Sequence, residues 1–171
     1  MLVFALNPLY NSSMKEYFNP TLGHLSLEQV AQEITRYIQA DPESSYQLMV
    51  GTDSKGNGKI DFVTAIVIYR QGKGGRYFYK KFHQEKIIHL RHRIYTEVNA
   101  SLETGQRLLK ILRKYWTKKP KGLLEVHIDI GENGPTRELI KEVVGMVLCQ
   151  GFQPKIKPYS YTASMVADRY A

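Results

Sequence analysis

The chain has 171 residues, 43% of them hydrophobic and 23% charged, with a formal net charge of +8. That is long enough for one well-buried core, and the ordinary charge content argues against a disordered chain beyond its first twenty or so positions. A single cysteine excludes an internal disulfide, and no stretch approaches the roughly 18 uninterrupted apolar residues of a spanning helix. Residues 2–6 are too short for a signal-peptide core and have no basic segment before them. The expectation is a soluble, cytoplasmic protein. Charge is unevenly spread: residues 70–121 hold 15 lysines and arginines against Glu85, Glu97 and Glu103, a net of +12, so the remainder is net acidic. One basic face would attract a polyanion such as nucleic acid, although lysine-rich surfaces also simply keep domains soluble.

Residues 1–20 carry irregularly spaced apolar residues interrupted by Asn7-Pro8 and Asn19-Pro20, and read as an extended arm or loop. The division expected is an arm over 1–25 and one domain over 26–171. Ser26 and Gln29 have capping-box spacing, and Leu27, Val30, Ala31, Ile34 and Ile38 then recur at helical intervals until Asp41-Pro42. Residues 46–52 read as a strand, followed by Gly56-Asn57-Gly58 as a tight turn. Residues 62–70 and 76–82 complete three antiparallel strands in series. The alternation of basic and aromatic residues between Arg76 and Lys86 suits a nucleic-acid groove. It equally suits Tyr77 and Tyr79 as strand formers on a half-exposed sheet.

A long helix is expected over 90–116, with Ile94, Val98, Leu102, Leu109, Leu112 and Trp116 in one stripe. Residues 118–122 end it, 123–130 read as a strand, and Pro135 is placed for a first helical turn. Leu139, Ile140, Val143, Val144, Val147 and Leu148 give the next helix an apolar face, and Gly151 suits its end. Cys149, near that end, reads as inert packing. A short strand over 152–157 is stopped by Pro158, and 160–170 forms a terminal helix capped by Ser160 or Thr162. Apart from the leading helix the order is βββαβαβα, which implies an α/β fold: a mixed sheet, part meander and part parallel, flanked by helices.

Asp53 closes the first strand of the meander and Asp129 lies near the end of the fourth strand. If those strands are parallel neighbours, both carboxylates meet at one end of the sheet, where open α/β sheets place ligands. Either is also an ordinary turn residue when taken alone. At about 100° per residue from Ile94, the apolar stripe of the long helix centres near about 30°, with Glu97 at about 300° and Glu103 at about 180°. Glu97 therefore borders the buried face and needs a partner, whereas Glu103 is solvated surface. Asp168 sits late in the terminal helix beside Met165, Val166 and Ala167. Clustered carboxylates oppose one another's ionisation unless cations neutralise them, and hard ions such as Mg²⁺ or Mn²⁺ take oxygen ligands. Two such ions can activate water and stabilise the leaving oxygen in phosphodiester hydrolysis.

The runs Val50-Gly51-Thr52-Asp53-Ser54-Lys55, Ile94-Tyr95-Thr96-Glu97-Val98-Asn99 and His127-Ile128-Asp129-Ile130-Gly131, the residues Asn133, Gly134 and Thr136, and the tail from Lys157-Pro158-Tyr159-Ser160 to Ala167-Asp168-Arg169-Tyr170 together resemble an uncharacterised bacterial family predicted to be ribonuclease H-like. The resemblance runs from about Ser26 onward. It implies a ribonuclease H-like fold whose metal ligands are an acid on the first strand, one on the following helix, one on the fourth strand and a variable one on a late helix. Asp53, Glu97, Asp129 and Asp168 match those places in turn. The implied function is a Mg²⁺- or Mn²⁺-dependent nuclease with two ions, Lys55, Lys157 and the basic face being the candidates for holding the nucleic-acid backbone. The rival is a non-catalytic nucleic-acid-binding module on the same fold. An actin-like phosphotransferase would need a duplicated domain, for which the chain is too short. A P-loop is excluded because Ile60 follows Lys59 where Ser or Thr is required. A zinc site from His89, His92 and His127 lacks any Cys pair, which leaves His127 as a supporting or structural residue.

Overall fold

The computed structural model describes residues 14–56, 59–85, 89–116, 124–160, 165–166 and 169–170. The expected turn at 57–58, the break over 117–123, and Thr162 and Asp168 in the terminal helix lie outside them. Strands β1 (Tyr17–Asn19) and β2 (Gly23–Leu25) precede helix α1 (Leu27–Gln39). Strands β3 (Tyr46–Lys55), β4 (Lys59–Arg70) and β5 (Gly74–Glu85) follow, then α2 (Leu90–Tyr115), β6 (Glu125–His127), a 3₁₀ turn (Arg137–Leu139), α3 (Ile140–Cys149) and β7 (Gln153–Lys155). The seven strands form one sheet in the order β2-β1-β5-β4-β3-β6-β7. The meander β3-β4-β5 is antiparallel, while β6 runs parallel to β3 and β7 parallel to β6. This is the expected mixed α/β sheet.

Alternation along the strands sorts the side chains between two faces. Leu48 and Val50 of β3, Ile66 and Ile68 of β4, Phe78 of β5 and Val126 of β6 belong to one apolar core with Val30 and Ile34 of α1, Ile94, Val98, Leu108 and Leu112 of α2, and Val143 and Val147 of α3. On the strand positions between them, Met49, Val63, Ala65 and Val67 are also buried. Tyr79, opposite Ala65 in the β4–β5 register, stacks on Tyr170 at 4.2 Å between ring centroids, and the Tyr77 hydroxyl lies 2.7 Å from that of Tyr170. The end of the chain thus docks on the second face, with residues 165, 166, 169 and 170 helical.

Helix α1 begins where the sequence signals it. Ser26 accepts from the Gln29 amide and Gln29 accepts from the Ser26 amide, so two donors of the first turn are satisfied reciprocally. Several expectations need correction. Residues 17–25, expected as arm, pair as an antiparallel hairpin, and Phe18 joins it to β5 opposite Tyr79. The strand expected over 123–130 is regular only from Glu125 to His127; beyond it the ladder persists as single bonds, Ile128 N–H to Lys155 O and Lys157 N–H to Ile130 O, both 2.9 Å. The helix after Pro135 starts as a 3₁₀ turn and becomes α-helical only at Ile140. On α3, apolar on more than one side, Leu148 and Cys149 are exposed rather than packed, because Val143 and Val147 alone occupy its buried stripe.

Replacing Ser26 with Ala removes one half of the capping box. Urea unfolding should show a loss of about 1 kcal/mol with an unchanged m-value.

Candidate metal and nucleic-acid site

The sheet register and helix α2 put Asp53, Asp129 and Glu97 at the same end of the sheet. Gly51 of β3 pairs with His127 of β6 in parallel register, so Asp53 and Asp129 each lie two residues beyond the same rung, at the same end of the sheet. Helix α2 crosses this end on the apolar-core face. It is seated by a buried hydroxyl seam in which the Thr52 and Thr64 hydroxyls lie 2.9 Å apart and the Ser101 hydroxyl lies 2.9 Å from both Thr52 Oγ1 and the Glu97 carbonyl oxygen. At the far end α2 approaches closely through Gly105, where a Cβ would meet Leu124 at 3.0 Å and Phe152 at 3.2 Å. A side chain there would require those two side chains to give way by a few tenths of an ångström.

Glu97 is 6% exposed, as the helical spacing predicts, and Glu103 is solvent-facing. The Ser54 hydroxyl donates to the Glu97 carboxylate, while Arg93 donates through Nε to Ser54 Oγ and through Nη2 to the Ser54 carbonyl. Arg93 Nε also stands 3.7 Å from Glu97 Oε1. Ser54 and Arg93 are positions of the candidate site that sequence reasoning missed. Two signals point to them: Arg93 precedes Glu97 by one helical turn, and Ser54 shares the strand face of Thr52.

Burial is the largest influence on Glu97 and pushes its pKa up to about 7. The Ser54 hydrogen bond opposes this, the negative charge of Asp53 adds to it, Arg93 opposes it and Asp129 adds to it. Asp53 and Asp129 are thus within electrostatic reach of Glu97. Asp53 Oδ1 accepts from the Ser54 amide at 2.7 Å. Asp129 carries an ion pair with Lys157, Nζ to Oδ1 2.9 Å, and the Lys157 stem lies against Gly131, where a Cβ would come within 3.1 Å of Lys157 Cβ. Lys55 is exposed at the end of β3. Asp168 lies outside the described residues.

Among the described residues, no three of His, Cys, Asp and Glu are gathered closely enough to hold a metal ion as they stand. The donor chemistry nevertheless fits a hard divalent cation. All three acids offer carboxylate oxygens, and the buried Glu97 faces two further negative charges, a conflict such an ion relieves. The histidines do not form an alternative centre. His89 and His92 are exposed, whereas His127 is buried with Nε2 3.1 Å from Glu125 Oε2 and its pKa lowered chiefly by burial.

Glu97 predicts a pH dependence of stability. Its folded-state pKa lies above the ordinary carboxylate value, so the stabilisation is complete below that value and is lost as pH rises through about 7. His127, lowered by burial, acts in the opposite sense over part of this window, so the comparison is with Glu97→Gln. In chelator, thermal melts between about pH 5 and pH 8 should show the wild type losing stability relative to Glu97→Gln as pH rises. Parallel curves would refute the buried-carboxylate assignment.

Two comparisons with known proteins bear on this geometry. The family model described as Ribonuclease H-like matches residues 29–171. "Uncharacterized protein YkuK" of Bacillus subtilis (strain 168) is 34% identical over 164 residues, covering 90% of this chain and 95% of that protein. No solved structure matches at a significant level. With the match extending from α1 to the C-terminal residue and the mixed sheet in place, the chain belongs to the ribonuclease H-like family.

Proposed function

We propose that this protein is a metal-dependent nuclease that hydrolyses phosphodiester bonds of RNA or DNA, acting in the cytoplasm. The unit proposed to carry the activity is 26–171, with the β1–β2 hairpin of residues 17–25 added at the edge of its sheet. The observation that carries the reading is the burial of Glu97 beside Asp53 and Asp129, in a family whose fold is associated with nucleic-acid chemistry. A carboxylate buried within electrostatic reach of two further acids is costly to keep, which supports a role for Glu97 beyond holding the fold.

Asp53, Glu97 and Asp129, with Asp168 as the fourth, would hold two Mg²⁺ or Mn²⁺ ions. When bound, these supply an activated water and a counter-charge for the leaving oxygen. The chain's own residues prepare the site. Ser54 and Arg93 fix the Glu97 carboxylate in one orientation, so its position is set before any ligand arrives. Lys157 neutralises Asp129 in the metal-free protein, and its exposed ammonium is placed to move to a substrate phosphate. Lys55, also exposed, is the second candidate for the backbone. Burial at the sheet end excludes bulk water from Glu97 and strengthens its contacts with Ser54 and Arg93.

A second reading, a nucleic-acid-binding module without catalysis, is favoured by one observation: the described acids are not gathered into a ready metal cage. Neither reading involves a membrane-spanning helix, since no helix among the described residues is long and apolar enough.

Cleavage of labelled single-stranded, duplex, hybrid and branched substrates with Mg²⁺ or Mn²⁺ separates the two readings. Asp53→Asn should abolish metal-supported cleavage, by at least about 100-fold, while leaving the thermal melt of the chelated protein cooperative. Undiminished cleavage by the mutant would sink the assignment. Binding unaffected by chelator, with no cleavage by wild type, would favour the module.

A further inference from the structure

Helix α2 presents a second face besides the one that carries Glu97. Thr96, Asn99, Ala100 and Glu103 recur at helical spacing along it and line a groove of about 430 Å³ whose opposite wall is β5. On β5, alternation puts Lys80, Phe82 and Gln84 on the groove side and leaves Tyr77 and Tyr79 on the other face, where they hold Tyr170. The basic and aromatic run therefore divides: its tyrosines brace the fold, Phe78 enters the core, Arg76 pairs with Glu33, and Lys80, Phe82 and Gln84 line an open cleft.

The chemistry of this cleft is amphipathic. Phe82 is half-buried and stacks on the buried Phe62 at 4.9 Å with an interplanar angle of 6°, so the pair forms a flat, rigid aromatic base. Gln84 and Asn99 bring exposed amides, each with donors and an acceptor. Of the acids of the cleft, Glu16 is paired within the fold and Glu103 is exposed. Glu16 lies 3.1 Å from Arg107 and 3.7 Å from Lys80, and Glu103 lies 4.0 Å from Arg107. Lys81 starts from the other face of β5 by the same alternation but borders the cleft at its rim, where it is exposed and has no ion-pair partner among the described residues. An aromatic plane, amides at its edge and one available ammonium are the elements by which unpaired nucleobases and their phosphates are recognised.

The cleft is also aligned with the acidic site. Ser54 pairs with Phe62, and Phe62 with Phe82, so the Ser54–Glu97 contact and the aromatic plane sit on one rung of the sheet, two strand spacings apart. Two spacings are about 10 Å, roughly the rise of three stacked nucleotides. We infer that the α2–β5 cleft binds an unpaired nucleobase of a single-stranded segment, stacked on Phe82 and held by Lys81 at the adjoining phosphate, a few nucleotides from the site of cleavage. This rests on the nuclease reading for its placement, and it restricts the substrate to nucleic acid with a single-stranded portion.

The test measures binding in chelator, so that no cleavage intervenes. Fluorescence anisotropy with labelled oligothymidylate and oligouridylate should show wild-type binding that Lys81→Ala and Phe82→Ala each weaken by at least about 5-fold. Blunt duplex of the same length should be affected much less by Phe82→Ala. Phe82→Tyr, which keeps the plane and guards against misfolding of the alanine variant, should bind single strands within about 2-fold of wild type. Single-strand affinity unchanged in both Lys81→Ala and Phe82→Ala, or absent from the wild type, would overturn the proposal. Binding that depends on these residues without metal-supported cleavage would retain the cleft and remove the nuclease reading. Cleavage that depends on Asp53 but not on the cleft would do the reverse.

Discussion

The buried carboxylate of Glu97 is the constraint around which this end of the molecule is built. A carboxylate taken out of water costs several kcal/mol unless it is paired, hydrogen-bonded or protonated, and the protein uses all three routes in part. Ser54 donates to it, Arg93 stands behind Ser54, and burial together with Asp53 and Asp129 raises its affinity for a proton. The seam of Thr52, Thr64 and Ser101 exists for the same reason. Hydroxyls buried between a helix and a sheet must satisfy one another, and in doing so they fix the helix at one height above the strands. Gly105, about two turns beyond Glu97, lets α2 approach Leu124 and Phe152 closely.

The topology then supplies the other acids without further cost. Parallel pairing of β3 and β6 is what puts Asp53 and Asp129 on the same side of the molecule. An antiparallel pairing of the same two segments would have sent them to opposite ends. Lys157 enters because β7 runs parallel to β6, its register carrying the chain back to Asp129 just past the last ladder bond.

Much of this was legible in the sequence where local chemistry and global fold agree. The Ser26–Gln29 box, the β-branched run of β4 and the apolar stripe of α2 each had one interpretation, and the angular position of Glu97 against Glu103 correctly separated a buried acid from a solvated one. What stayed hidden was set by tertiary context. Strands of three residues, such as β1 and β2, have no periodicity to read and exist because β5 offers them an edge. Ser54 looks like any turn serine until α2 is laid over it. Cys149 and Leu148 were misread because an apolar helix tells nothing about which of its sides is covered. The two roles within β5 also needed the structure: Tyr79 and Phe82 are equally aromatic, and only the strand's parity sends one to brace the chain end and the other to the cleft.

The sheet's outermost strands, β2 and β7, are each only three residues long, and β7 carries Pro154 in its middle. Each therefore exposes at most a few unsatisfied backbone groups, and proline withholds one donor from that small set. A long, flat margin would offer another copy of the chain a template for extending the sheet by intermolecular strand addition. Of the two 12-residue strands, β4 is paired along its length by β3 on one side and β5 on the other, whereas β5 meets β1 on its outer side at a single pair, Phe18 with Tyr79. The β-branched strand β4 is thus hidden and both outermost strands are blunt, which limits strand addition at the two ends of the sheet.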